Sequence, residues 1–200
     1  MMAAPVDTGV PARAALGIAD LAGDPDCWST SLYEALPDRD LDQDELLRLV
    51  ASIATHPELW RDNVAFDDDH RHYVCLHRDT HVDVWLLCWT PSNDTGWHDH
   101  DISSGAVAVV RGRLLEHNLA VGADSFETAV DDGQAFSFGP DHIHRLTGAP
   151  RADGTGQAVS VHAYSPPLWR LGQYAVSASG LLRRTSVSYA DELRPLEDFS

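Results

Sequence analysis

From residue 82 onward, the sequence alternates between short apolar segments and turn-forming residues, and this alternation restricts the fold more than any other feature. The segments are too short for helices of normal length, which favours strands. They comprise residues 82–90, 105–121, 125–130, 134–146, 157–165 and 181–189, with turns at Arg111-Gly112 and Gly139-Pro140. Short strands without helices between them predict an all-β barrel or sandwich.

The chain before residue 82 has a different pattern of apolar and polar residues. Residues 40–56 predict a helix, because Asp40 or Asp42 can cap it and acidic residues fill its first turn. Residues 1–25 are rich in Ala, Pro, Gly and Asp and predict a loose N-terminal segment. We therefore expect one domain over residues 26–200, with helices up to about residue 60 and then a β-barrel. The apolar face of the predicted helix consists of Leu46, Leu47, Val50 and Ile53.

Charge and cysteine content restrict the partners and the compartment. The net charge is −17, from 31 acidic against 14 basic residues, which argues against binding to nucleic acid or to anionic membrane surfaces. No apolar run approaches the roughly 20 residues of a membrane span, and a secretory signal is not expected. Cys27, Cys75 and Cys88 are too few and too widely spaced for a disulfide framework. A reducing cytoplasm is the expected compartment, and the sequence does not indicate the oligomeric state.

Histidines provide the strongest chemical signal in the sequence. His98 and His100 lie two residues apart, so on an extended strand their side chains point to the same face. Each neutral imidazole is a ligand suited to iron, zinc, copper or nickel. His144 follows the Gly139-Pro140 turn and can complete a site, although His142 would share its face on an extended segment. A pair of exposed loop histidines is the alternative interpretation.

This layout resembles the two motifs of the cupins, in which a jelly-roll barrel brings the paired histidines beside the third one. A glutamate normally follows the paired histidines and precedes a glycine; here Gly105 stands at the glutamate position and Gly112 at the glycine position. The fourth ligand is therefore missing. A three-histidine site leaves coordination positions open and favours iron chemistry, whereas a structural zinc site would need four protein ligands.

Loss of that glutamate is similar to the cysteine dioxygenases and their bacterial thiol dioxygenase relatives. Between residues 70 and 170, four segments resemble that family, and the last is the most specific, since cupins in general do not carry it. These segments are Cys88-Trp89, His98-Asp99-His100-Asp101, Ile143-His144-Arg145 and Ser160-Val161-His162-Ala163-Tyr164-Ser165-Pro166-Pro167. The resemblance implies a cupin jelly-roll β-barrel with a short N-terminal helical segment.

The resemblance also implies roles for individual residues. It favours His144 over His142 as the third iron ligand. Ser160, His162 and Tyr164 would form a hydrogen-bonded triad, and their spacing places all three on one strand face. Tyr164 would donate to an oxygen species in the iron pocket, with His162 holding the hydroxyl and Ser160 orienting the imidazole. Alternate polar residues facing solvent on an edge strand are the other interpretation.

Substrate-binding residues are less clearly indicated. In the family, an arginine roughly two residues after a tyrosine binds the cysteine carboxylate; after Tyr73 that position is Cys75. On alternating geometry, Arg71 shares a face with Tyr73 and Cys75, while Arg78 lies on the opposite face unless a bulge intervenes. Arg71 is therefore the better substitute, and Trp89 is a candidate wall of the pocket.

The predicted activity is oxidation of a small thiol by O2 to its sulfinic acid, with Fe(II) as the cofactor and cysteine as the first substrate hypothesis. Another thiol, such as 3-mercaptopropionate or ergothioneine, stays open. The substrate supplies all the electrons, so no organic cofactor is expected, and the sequence shows no dinucleotide-binding glycine motif. A non-thiol metal cupin and a metal-binding sensor without turnover are the rival hypotheses.

Overall fold

The fold is taken from a computed structural model, which describes residues 15–21, 32–119, 125–150, 156–176 and 182–188. Most of the segment predicted to be loose lies outside these ranges, as does Cys27. The α-helices of the described part are α1 (Ile18–Leu21) and α2 (Gln43–Ala54), and two 3-10 turns follow at Pro57–Leu59 and Arg61–Asn63. Its strands are β1 (Leu16–Gly17), β2 (His72–Arg78), β3 (Asp83–Trp89), β4 (Trp97–Asp99), β5 (Ser104–Arg111), β6 (Arg113–Asn118), β7 (Phe126–Asp131), β8 (Gln134–Phe138), β9 (His144–Gly148), β10 (Ala158–Ser165), β11 (Arg170–Val176) and β12 (Leu182–Ser188).

The strands form two antiparallel sheets that face each other. One sheet has the order β1-β8-β5-β10-β3-β2, and the other has the order β12-β11-β4-β9-β6-β7. Every residue of β3 and β10 is buried, because one face of these strands lines the barrel and the other is covered from outside. The predicted jelly-roll barrel with a short N-terminal helical segment is confirmed.

Helix α2 provides that outer cover. Asp42 caps it, since its side chain accepts a hydrogen bond from the Glu45 amide while the Glu45 carboxylate accepts one from the Asp42 amide. Leu46, Val50 and Ile53 are fully buried and belong to a cluster that includes the outer face of β3 and β10. The predicted helix is thus confirmed, with Asp42 rather than Asp40 as its cap.

Strand β11 was not anticipated from the sequence. Strand β11 follows two prolines and contains Gly172, both of which argue against a strand. The structure gives the reason for Gly172: an added Cβ would lie 2.5 Å from Asp99 Oδ2 and 2.2 Å from Arg184 Nε. The glycine therefore makes room for an ion pair between these two side chains.

No helix in the described ranges is long and apolar enough to cross a membrane. Cys75 is exposed and Cys88 is buried, and both are free thiols.

Two turn glycines provide a test of this packing. Gly112 and Gly133 both have positive φ, at +82° and +80°, but an added Cβ would lie 2.3 Å from Gln157 O at Gly112 and would contact nothing within 4 Å at Gly133. Gly133→Ala should cost about 1–2 kcal/mol of unfolding free energy through backbone strain alone. Gly112→Ala should cost about 1–3 kcal/mol more, because it also overpacks the turn. Equal losses in urea unfolding would contradict this account.

Candidate metal centre

The structure brings His98, His100 and His144 together inside the barrel. His98 belongs to β4, His100 follows it, and His144 opens β9 directly opposite His98 in the strand register. Their candidate ligand atoms all lie within 4.8 Å of one another, and their exposed fractions are 6%, 1% and 1%. Three imidazoles that converge in the interior form a natural cation site.

Hydrogen bonding leaves ring nitrogens of these histidines available. His98 Nδ1 lies 3.1 Å from Gly96 O, and His144 Nδ1 lies 2.9 Å from Glu116 Oε1. His144 Nε2 and His100 Nδ1 are buried without a hydrogen-bond partner. Buried nitrogens without partners are costly in a folded protein, and a metal bound at His144 Nε2 would give that nitrogen a partner. The residues present therefore fit a metal ion.

Electrostatics keep the three imidazoles neutral. Burial, followed by repulsion from His144, lowers the pKa of His98 to about 3. Burial also lowers the pKa of His100, and repulsion from His98 and His144 lowers it further. Burial also lowers the pKa of His144, and this effect outweighs the hydrogen bond to Glu116, which raises that pKa. Neutral imidazoles retain the lone pairs that a metal ligand requires.

Glu116 and His142 form a second, overlapping group with His144. Glu116 lies on the inner face of β6 and is 5% exposed, while the His142 side chain, in the loop before β9, is 30% exposed. His142 Nε2 lies 3.0 Å from the same Glu116 oxygen that contacts His144. Burial would raise the pKa of Glu116, but the hydrogen bonds from both histidines lower it to about 2. The choice of His144 over His142 as a ligand stays a prediction.

Ser160, His162 and Tyr164 form a continuous hydrogen-bonded chain on the inner face of β10. Ser160 Oγ lies 2.8 Å from His162 Nε2, and His162 Nδ1 lies 3.1 Å from Tyr164 Oη. Trp89 Nε1 donates to Ser160 Oγ at 2.8 Å. The Tyr164 ring stacks against the His100 ring with a centroid distance of 5.2 Å. The chain of side chains thus ends beside the three-histidine cluster.

Arg71 and Trp89 lie against the same interior space. The guanidinium carbon of Arg71 is 4.9 Å from the centre of the Trp89 ring, and Arg71 Nε is buried without a hydrogen-bond partner. After burial, the charge of Arg71 is the next largest cause that lowers the pKa of His162, and it also lowers that of His98. A positive charge with a spare buried donor therefore lies near the histidine cluster.

The other two predicted substrate residues lie on β2, Tyr73 against the interior hydrophobic cluster and Cys75 at the surface. Tyr73 packs against Trp85 with a centroid distance of 6.0 Å. Cys75 is exposed, and its thiol contacts His77 O at 3.4 Å. A register shift after Cys75 brings Arg78 opposite Asp83. The shift places Arg78 on the same face as Asp83, and the two side chains form an ion pair. The guanidinium of Arg78 therefore already has a carboxylate partner.

Sequence reasoning missed Glu116 and Phe138. Phe138 stacks against His100 with a centroid distance of 4.6 Å, and an added Cβ at Gly105 would lie 2.4 Å from the Phe138 ring. Gly105 thus accommodates a phenyl ring beside the cluster. Alternation along β6, where Leu114, Glu116 and Asn118 are buried, was the signal that could have identified Glu116.

A family model for cysteine dioxygenase type I matches residues 28–177 of this 200-residue chain. The chain belongs to the cysteine dioxygenase type I family. The match spans α2, the strands from β2 to β11 and every candidate site residue. The resemblance inferred from the motifs is thereby confirmed, and membership in this family places the chain among dioxygenases.

Several solved structures are similar to the chain. A cupin superfamily protein from Desulfitobacterium hafniense is 8% identical, with a TM-score of 0.44 over 54% of this chain and 87% of that one. A double-stranded β-helix protein from Klebsiella pneumoniae is 13% identical, with a TM-score of 0.44 over 62% and 92% of the two chains. A protein from Bacillus halodurans is 20% identical, with a TM-score of 0.44 over 57% and 78%. No curated protein sequence matches the chain significantly.

Replacement of the histidines one at a time tests the metal centre. On the predicted ligand set, His98→Ala, His100→Ala and His144→Ala should each remove most of the metal that the protein binds, because each deletes one of three ligands. The matched control is His142→Ala, which removes the neighbouring imidazole and should retain iron. Metal content of purified protein is measured by elemental analysis. Loss of iron in His142→Ala with retention in His144→Ala would reverse the ligand assignment.

Proposed function

We propose that the chain is an Fe(II)-dependent thiol dioxygenase that converts a small thiol, with cysteine as first choice, into its sulfinic acid. The observation that supports this most is the cluster of three buried, neutral histidines beside Arg71. Iron(II) held by His98, His100 and His144 would supply the redox chemistry that joins dioxygen to sulfur. Both oxygen atoms enter the product, and sulfur provides all four electrons that dioxygen accepts.

The hydrogen-bonded chain on β10 gives Tyr164 a defined role. Trp89 Nε1 can only donate, so Ser160 Oγ accepts from it and is free to donate its own proton to His162 Nε2. His162 then carries a proton on Nδ1 and donates it to Tyr164 Oη. The hydroxyl proton of Tyr164 can therefore be donated into the pocket, where it would stabilise charge that develops on oxygen.

Arg71 is the proposed partner of a substrate carboxylate. Its guanidinium has a buried Nε without a partner, and an anion in a partly buried pocket needs such a charge-assisted donor. Cys75 cannot offer that charge, and Arg78 is already paired with Asp83. Carboxylated thiols are therefore favoured: cysteine first, with 3-mercaptopropionate and ergothioneine as alternatives. Tyr73 and Trp89 would line the same pocket.

Oxygen uptake with a panel of small thiols tests the proposal. The expected result is consumption of one O2 per thiol and a product heavier by two oxygen atoms. Iron-loaded protein that consumes oxygen with none of the thiols would favour a non-thiol cupin or a metal-binding sensor. We place the activity in the cytoplasm, where the free thiols of Cys75 and Cys88 stay reduced.

Tyr164→Phe tests the proton donor. The variant removes one hydroxyl and little volume, so iron content and thermal unfolding should match the wild type. Turnover should fall by about 10²–10⁴-fold, the range typical of a positioned proton donor. The matched control is Tyr33→Phe, because the Tyr33 hydroxyl is also buried but has no hydrogen-bond partner. Full activity in Tyr164→Phe would remove this tyrosine from the mechanism.

Arg71→Ala tests the carboxylate partner. The KM for a carboxylated thiol should rise by about tenfold or more, which corresponds to loss of a charge-assisted hydrogen bond. Cysteamine, which has no carboxylate, should be almost unaffected. Arg78→Gln is the comparison variant and should leave the KM of both substrates unchanged; because it deprives the buried Asp83 carboxylate of its partner, its folding is checked by thermal unfolding. A selective loss in Arg78→Gln instead would identify Arg78 as the clamp.

A further inference from the structure

The carboxylate of Glu116 is buried beside the metal centre and has an unusual set of partners. It projects from β6 into the barrel interior and is 5% exposed. Its partners in the described structure are two imidazoles, which meet a single oxygen: His144 Nδ1 at 2.9 Å and His142 Nε2 at 3.0 Å. A buried carboxylate without an arginine or lysine among these partners is uncommon, so a specific role is indicated.

The contact fixes which nitrogen of His144 carries the proton. Two imidazole nitrogens lie within hydrogen-bonding distance of the same oxygen, Glu116 Oε1, and one oxygen can serve both only by accepting from both, so this geometry assigns His144 to donate from Nδ1. Its lone pair is then on Nε2, the nitrogen that is buried without a partner. The opposite tautomer would place a proton on Nε2 and block metal binding there. The hydrogen bond also restricts rotation of the ring, because the acceptor lies on a strand neighbouring β9.

We propose that Glu116 is a positioning residue that holds His144 in its metal-binding tautomer and orientation. This inference rests on the proposed function, in which His144 is a ligand. The chain has Gly105 where cupins usually carry a carboxylate that binds the metal directly. The carboxylate of Glu116 would instead act through its hydrogen bond to His144. Carboxylates in this position raise the basicity of the imidazole and typically contribute 10–100-fold in metal affinity.

Glu116 and His142 could alternatively be ligands themselves, together with His144. In that arrangement His144 Nδ1 would have to bind the metal and lose its hydrogen bond to Glu116. The two arrangements differ in the role of His142. If Glu116 acts through His144, His142 makes only a second hydrogen bond to the same oxygen, and the metal does not depend on it.

Cobalt(II) binding to the metal-free, full-length protein tests the inference without reference to turnover. Glu116→Gln retains an acceptor oxygen but loses the charge, and Glu116→Met loses both. Cobalt affinity should decrease in the order wild type, Gln variant, Met variant, with a total loss of about 10–100-fold. The visible absorption of bound cobalt, which reports ligand geometry, should change in the Met variant. His142→Ala should retain both the affinity and the spectrum of the wild type.

Each outcome decides a different point. Wild-type affinity and spectrum in both Glu116 variants would overturn the positioning role while leaving the metal centre intact. Equal losses in His142→Ala and Glu116→Gln would overturn it in favour of the alternative ligand set. A wild-type protein that binds no cobalt would overturn the metal centre and the proposed function together. If the Met variant fails to fold, the comparison of Glu116→Gln with His142→Ala decides the matter.

Discussion

The arrangement of the barrel around the candidate centre depends on the buried carboxylate of Asp99. Strand β4 has three residues; it pairs with β11 at all three but with β9 at a single described position, so side-chain hydrogen bonds add substantially to its short ladder. Asp99 accepts from Tyr174 Oη at 2.6 Å, Arg184 Nε at 2.7 Å and Gly172 N at 3.0 Å. These hydrogen bonds tie β4 to β11 and β12. Because side chains alternate along a strand, His98 then points to the opposite face, into the barrel.

The interior combines neutral histidines with charged neighbours. The histidines of the cluster are buried and neutral, whereas the charged side chains that influence them include the carboxylates of Glu116 and Asp99 and the guanidinium of Arg71. In the proposed function, a thiol with a carboxylate would extend from the cluster toward Arg71. The chain as a whole carries −17, so attraction of an anion relies on this local charge and not on the overall field.

Local sequence patterns predicted much of this structure because the relevant physics is local. The capped helix at Gln43–Ala54, most strands from residue 82 onward and the family motifs could each be identified from neighbouring residues. The spacing of Ser160, His162 and Tyr164 placed them on one face of a strand, and they lie there. Strand β11 was missed, because Gly172 argues against a strand when only its neighbours in sequence are considered. The reason for this glycine is the Asp99–Arg184 ion pair, which comes from two other strands.

The sequence by itself determined the fold class, the family and the histidines that could bind a metal, since motif spacing and strand alternation depend on covalent geometry. Strand alternation favoured Arg71 as the arginine near the cluster, but only the tertiary structure shows what occupies Arg78. A register shift between Cys75 and His77 pairs Arg78 with Asp83 and leaves Arg71 over Trp89. It also decided that Glu116 meets His144, because these residues are brought together by pairing of β6 with β9. Both outcomes depend on strand register, which is set by packing across the whole barrel.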